Sequence, residues 1–102
     1  MTTTVVNLRD YRLNGRYALP AGVVRVDRTS KWGNMYSHLP RSTASFRVAT
    51  RDEAVDAHGA WLRGMLYMQL DFLDELQRAK ALACWCAPLR CHADNYVAFL
   101  NG

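Results

Sequence analysis

Apolar residues alternate in short runs through the first third of the chain and fall at helical spacing through the second half, a change of period that separates strands from helices. Thr4-Val5-Val6-Asn7-Leu8, bounded by Arg9 and Asp10, reads as a first strand. Asn14-Gly15 and Pro20-Ala21-Gly22 are turn signals, and Val23 to Val26 reads as a second strand, expected to pair with the first. From Asp27 to Ser45 the chain is rich in Ser, Thr, Gly, Asn and Pro, with Trp32, Met35, Tyr36 and His38 among them, the composition of a long structured loop. Phe46-Arg47-Val48 alternates just long enough for a short edge strand.

Thr50-Arg51-Asp52-Glu53 has the form of a capping box, in which the Thr hydroxyl accepts from the backbone three residues on and Glu53 reaches back to Thr50. The helix that starts there turns Ala54, Ala57, Trp61, Leu62 and Met65 to one face. Gly59 and Gly64 weaken its interior, so the pattern predicts a break at 65–69 and a second helical piece from Leu70 to Arg78 with Phe72, Leu73 and Leu76 inward. Lys80 to Cys86 is apolar on both faces, as a central buried strand requires. Ala93, Tyr96, Val97 and Leu100 then mark a last short helix. The order predicts an α/β fold: a small mixed β-sheet of about four strands packed against roughly two to four helices, as a single domain over residues 1–102.

Composition narrows the class. A chain of 102 residues, half of them hydrophobic, is long enough for one core and too short for two. No apolar run spans a bilayer and no secretory signal opens the chain, so the expected location is the cytoplasm and no membrane partner is expected. The net charge is +4, with Arg supplying 11 of the 13 basic residues. Guanidinium groups suit phosphate or carboxylate, although dispersed charge is also what an ordinary solvated surface carries. No helix bears a basic stripe and no reading motif is present, which argues against a sequence-specific nucleic-acid target.

Candidate chemistry gathers at Cys84, Cys86, Cys91 and His92. Strand alternation puts Cys84 and Cys86 on one face, and a short loop returns Cys91 and His92 at a helix start, so the four can meet at the strand's carboxyl end. Three readings stay open. These residues have the ligand types of a structural zinc, and the thiols alone could hold an iron–sulfur cluster, although the spacing is unusual and adjacent Cys91 and His92 do not easily face one ion. Thiol chemistry is the second, with Cys91 or Cys86 as nucleophile, His92 as base and the helix N-terminus as an anion cradle. In the third, the cysteines are small buried hydrophobes and His92 belongs to a helix start.

The run Lys80-Ala81-Leu82-Ala83-Cys84-Trp85-Cys86-Ala87-Pro88-Leu89-Arg90-Cys91-His92-Ala93-Asp94, with Arg28-Thr29-Ser30-Lys31-Trp32-Gly33-Asn34 upstream, resembles the domain of unknown function 4326 family, found in bacteriophages and bacteria, with no activity to carry over. Met35 and Tyr36 stand where that family usually has Pro and Phe, and Ala79 where it often has Gly. The resemblance nominates Arg28, Trp32, Gly33, Asn34 and Arg51 as ligand-binding residues beside the Cys/His group, and if the chain is phage-encoded the expected cytoplasm is the host's.

The leading expectation is a domain that binds or acts on an anionic ligand, nucleotide-like molecules among the candidates, with Arg28 and Arg51 on the anion, Asn34 orienting it, and Cys91 and His92 as catalytic groups. The alternatives are a phage accessory protein that binds a host protein through Trp32, Tyr36 and Arg41, and a fold stabilised by Zn or an iron–sulfur cluster on Cys84, Cys86, Cys91 and His92.

Overall fold

The computed structural model describes residues 2–40 and 44–102, Leu13 by its backbone. In chain order the elements are β1 (Thr4–Asn7), a 3-10 turn (Leu8–Tyr11), β2 (Arg12–Leu13), β3 (Arg16–Tyr17), β4 (Val23–Arg25), β5 (Tyr36–Ser37), β6 (Phe46–Arg47), α1 (Arg51–Met68), a second 3-10 turn (Asp74–Leu76), β7 (Ala81–Cys84) and α2 (Ala93–Asn101).

The strand that is apolar on both faces takes the middle of the main sheet. All four residues of β7 are buried, and it lies between β1 and β4, parallel to both, with Thr4 opposite Ala81 and Val23 also opposite Ala81. The expected pairing of β4 with β1 is therefore replaced by a sheet of order β1-β7-β4. β1 and β4 each carry a half-exposed face, which suits an edge, whereas Ala81-Leu82-Ala83-Cys84 offers no polar side chain to water.

Leu82 and Cys84 face a core that also holds Val26, Leu62, Leu73, Leu76 and Tyr96. Each fully buried Leu contributes about 1.5–3 kcal/mol relative to an exposed one. α2 packs on β1 and β7, and α1 packs against α2 and β5. Gly59 faces α2, where an added Cβ would meet Asn95 Oδ1 at 3.3 Å.

Several local expectations shift. Asn14 and Gly15 both have positive φ, 52° and 78°, and build a hairpin turn between β2 and β3, strands the alternation was too short to reveal. Glu53 reaches back one residue further than expected: Thr50 Oγ1 accepts from the Glu53 N–H at 3.1 Å, while Glu53 Oε2 accepts from the Ala49 N–H at 3.2 Å. α1 runs unbroken to Met68. The predicted second helical piece is instead a chain of turns with hydrogen bonds from Phe72 to Gln69, Asp74 to Asp71, Leu76 to Leu73 and Ala79 to Leu76. β6 is present as a short strand, parallel to β5. No helix among the described residues is long and apolar enough to cross a membrane.

Candidate functional site

Three parallel strands ending side by side leave their following residues on one edge of the sheet, the place where open α/β folds bind ligands. Arg9 follows β1, Asp27 and Arg28 follow β4, and Trp85 and Cys86 follow β7. The first turn of α1, with Arg51, and the start of α2, with Cys91 and His92, close the other side. Together they line a cavity of about 880 Å³, within the range of roughly 300–1,000 Å³ typical of small-molecule sites.

The loop after β4 is tied down by its own polar groups. Asp27 is buried and accepts from Arg25 Nε at 3.0 Å and Nη2 at 2.8 Å, Thr29 Oγ1 at 2.5 Å and Trp85 Nε1 at 2.8 Å. Burial pushes its carboxyl up, but these donors outweigh it and hold it at about 2. Arg28 donates to the Asn34 carbonyl at 3.0 Å and the Tyr36 carbonyl at 3.1 Å. The buried Asn34 amide donates to the Ala54 carbonyl at 3.1 Å, and its Oδ1 accepts from the Tyr36 N–H at 2.9 Å, locking the loop to the first turn of α1. Gly33 is pressed against this turn: a Cβ would lie 2.5 Å from Arg28 Cα.

The residues nominated from sequence thus divide. Arg28, Asn34, Arg51, Cys84, Cys86, Cys91 and His92 share one cavity, as convergence requires. Trp32 is 9 % exposed and lies in the core, its carbonyl accepting from Tyr96 Oη at 3.2 Å. Gly33 lines a smaller neighbouring hollow with Arg28 and Asn34. Trp32 is therefore not available as an exposed contact for a protein partner, and Arg41 lies outside the described residues.

The thiols differ in access. Cys84 and Cys91 are 1 % and 2 % exposed, with their sulfurs 2.7 Å apart, whereas Cys86 is half-buried in the turn beyond β7. Asn7 Nδ2 fixes that turn by donating to the Trp85 carbonyl at 3.1 Å and the Ala87 carbonyl at 2.7 Å, one on each side of Cys86. The Cys84 and Cys91 thiols lower the Cys86 pKa most, and the Arg51 guanidinium adds to the effect. Interaction with Cys86 raises Cys84, and interaction with Cys84 and Cys86 raises Cys91. Among the three, Cys86 is the thiol whose pKa is lowered. His92 Nε2 lies 2.6 Å from the Val26 carbonyl and Nδ1 3.8 Å from Cys91 Sγ, and burial lowers its pKa.

Sequence reasoning missed Asn7, Arg9, Asp27 and Trp85 in the walls and anchors of this site. Their shared signal is position: each lies at or within two residues of the carboxyl end of a parallel strand, legible only once strand direction is known. It also missed His58, fully buried behind His92 with ring centroids 5.2 Å apart.

A family profile described as "Domain of unknown function (DUF4326)" matches residues 10–102. The chain belongs to this family. No curated protein and no solved structure matches it. The matched span of this DUF4326 member contains the loop with Arg28 and Asn34, the start of α1 and all three cysteines, while β1 precedes it.

The four residues of the zinc and iron–sulfur alternative, Cys84, Cys86, Cys91 and His92, all line the cavity of this DUF4326 domain. Two thiolates on a tetrahedral zinc, each about 2.3 Å from the metal, stand roughly 3.7 Å apart. Cys84 and Cys91 are closer than that, at 2.7 Å, while His92 Nε2 meets the Val26 carbonyl and its Nδ1 faces Cys91 Sγ at 3.8 Å. Among the described residues no group of three or more His, Cys, Asp or Glu side chains is arranged to hold a metal ion.

Proposed function

We propose that the cavity at the carboxyl ends of β1, β7 and β4 binds an anionic small molecule, with nucleotide-like ligands as the leading class. The observation that carries this reading is a charge imbalance. Arg9, Arg28 and Arg51 line the cavity, and none meets a carboxylate within ion-pair distance among the described residues, while the one acid in the wall, Asp27, is neutralised by Arg25. Guanidiniums without a carboxylate partner in a concave, partly desolvated wall favour phosphate or carboxylate, and the nearby start of α1 adds partial positive charge. Tyr36, Leu39, Trp85 and Leu89 supply apolar surface for a ring beside the anion.

We assign direct binding to Arg51, a reading supported by Arg28 also serving the loop through the Asn34 and Tyr36 carbonyls. The test is thermal unfolding with inorganic phosphate, AMP, ADP and neutral adenosine. A nucleotide at about a hundred times its Kd should stabilise the fold by about 2.7 kcal/mol, and Arg51→Met should remove most of that gain. Tm values unmoved by every anion at millimolar concentration, or moved equally by adenosine and ADP, would overturn the reading.

A further inference from the structure

The sulfurs have a geometry that anion binding does not use. Two buried thiols touch in the wall of the cavity, Cys84 Sγ to Cys91 Sγ at 2.7 Å, and a third, Cys86, lines the same cavity and is the most accessible of the three. Asn7 pins the peptide groups on either side of Cys86, so its place on the cavity wall is built by the fold. A disulfide needs about 2.05 Å between sulfurs, a short movement from the Cys84–Cys91 contact.

We propose that Cys86, Cys84 and Cys91 form a thiol–disulfide exchange centre whose substrate is a low-molecular-weight disulfide bearing carboxylates. The carboxylate preference rests on the anion-site reading above; the exchange chemistry does not. Cys86 thiolate attacks one sulfur of R–S–S–R, the S–S bond breaks, and the first R–S⁻ leaves. Cys91 loses its proton to that leaving thiolate and attacks Cys86 Sγ, expelling the second R–S⁻ and forming a Cys86–Cys91 disulfide. Cys84 then gives its proton to the second R–S⁻ and attacks Cys91 Sγ, so that the disulfide moves to Cys84–Cys91 and Cys86 leaves as thiolate. Two protein thiols are oxidised, the small disulfide is reduced by two electrons to two R–SH, and both protons come from Cys84 and Cys91. Arg51, on the same cavity wall, favours the ionised form of the attacking sulfur.

The test mixes fully reduced protein with oxidised glutathione, which carries carboxylates, or with neutral bis(2-hydroxyethyl) disulfide, and follows free thiols with time. Trypsin and chymotrypsin, the latter cutting after Trp85, then separate Cys84 from Cys86 for mass mapping. The expected result is loss of two thiols per chain, a Cys84–Cys91 linked peptide and a free Cys86, with Cys86→Ser slowing the reaction by roughly tenfold or more. Three thiols that persist, a Cys86 adduct that never resolves, or an unchanged rate in Cys86→Ser would overturn the exchange centre. A Cys84–Cys91 link that forms equally fast with both disulfides upholds the exchange centre and removes the carboxylate preference.

Discussion

At the scale of single residues, two glycines show how little of a role can be read from residue type. Gly33 lies under the turn that carries Arg28, and an added Cβ would fall 2.5 Å from Arg28 Cα and 2.8 Å from the Asp27 carbonyl oxygen. Both obstacles are backbone, so the turn itself must move. Gly64 lies on the exposed side of α1 with nothing within 4 Å of an added Cβ. Alanine there removes only the entropic weakness of glycine in a helix. Gly33→Ala is expected to cost about 1–3 kcal/mol, and Gly64→Ala to add roughly 1 kcal/mol, both measured by urea unfolding. Because the Asn34 amide and the Arg28 guanidinium are held by this same turn, Gly33→Ala should also weaken any anion response. A Gly33→Ala protein as stable as the parent would show that the loop is not packed as described.

At the scale of elements, the order β1-β7-β4 makes a specific claim about where stability resides. Leu82, at 0 % exposure in the central strand, touches the core shared by both helices, whereas Val24 in edge strand β4 is only partly buried. Leu82→Ala should cost about 2–5 kcal/mol, and Val24→Ala clearly less; comparable costs in a denaturant titration would contradict the central position of β7. The centrality of this strand was legible in its doubly apolar run, as were α1 and α2 in their spacing, because those signals are local. Pairing was not, since β1 and β4 are equally β-branched and only the late arrival of β7 between them decides the order. The segment after α1 misled for a different reason. Leu73, Leu76 and Ala79 are all buried at a spacing of three, which a run of 3-10 turns satisfies as well as an α-helix does. The meeting of the cysteines with Arg28 and Asn34 was also legible, from motif and strand end together. That Cys86, rather than Cys91, is the accessible thiol was not, because the strand stops at Cys84 and the chain turns before strict alternation can place Cys86.

At the scale of the whole molecule, buried histidines tie stability to pH. His58 is fully buried between Trp61, His92 and Tyr96, and Asn95 Nδ2 lies 3.1 Å from its Nδ1. The same amide donates to the Val55 carbonyl at 2.9 Å, so its nitrogen faces His58 as a donor and leaves the ring proton on Nε2, a buried atom with no partner among the described residues. A second proton would set two donors against each other at Nδ1. Burial, with the His92 charge adding to it, lowers the His58 pKa to about 3, and His92 is lowered too, by burial first. In the unfolded chain these imidazoles titrate near 6.5. As pH falls below that value the unfolded state takes up protons that the folded state refuses, so the His58 contribution is complete above 6.5 and is lost progressively toward 3, with His92 losing its own in the same direction. For His58 the slope is about 1.4 kcal/mol per pH unit across this window, and His92 acts in the same direction. The Asp27 ion pair acts in a separate window, because a carboxyl held at about 2 loses its contribution only as pH drops below 3.8. Urea unfolding at pH 7.5, 6 and 5 should therefore show stability falling with acid before the carboxylates titrate, and His58→Gln should remove about one proton from the uptake on unfolding. Since a small domain has only about 5–15 kcal/mol to lose, two refused protons set a lower pH limit for the fold and for the cationic cavity built on it, and a stability profile flat from pH 7.5 to 5 would show that His58 and His92 are hydrated rather than enclosed.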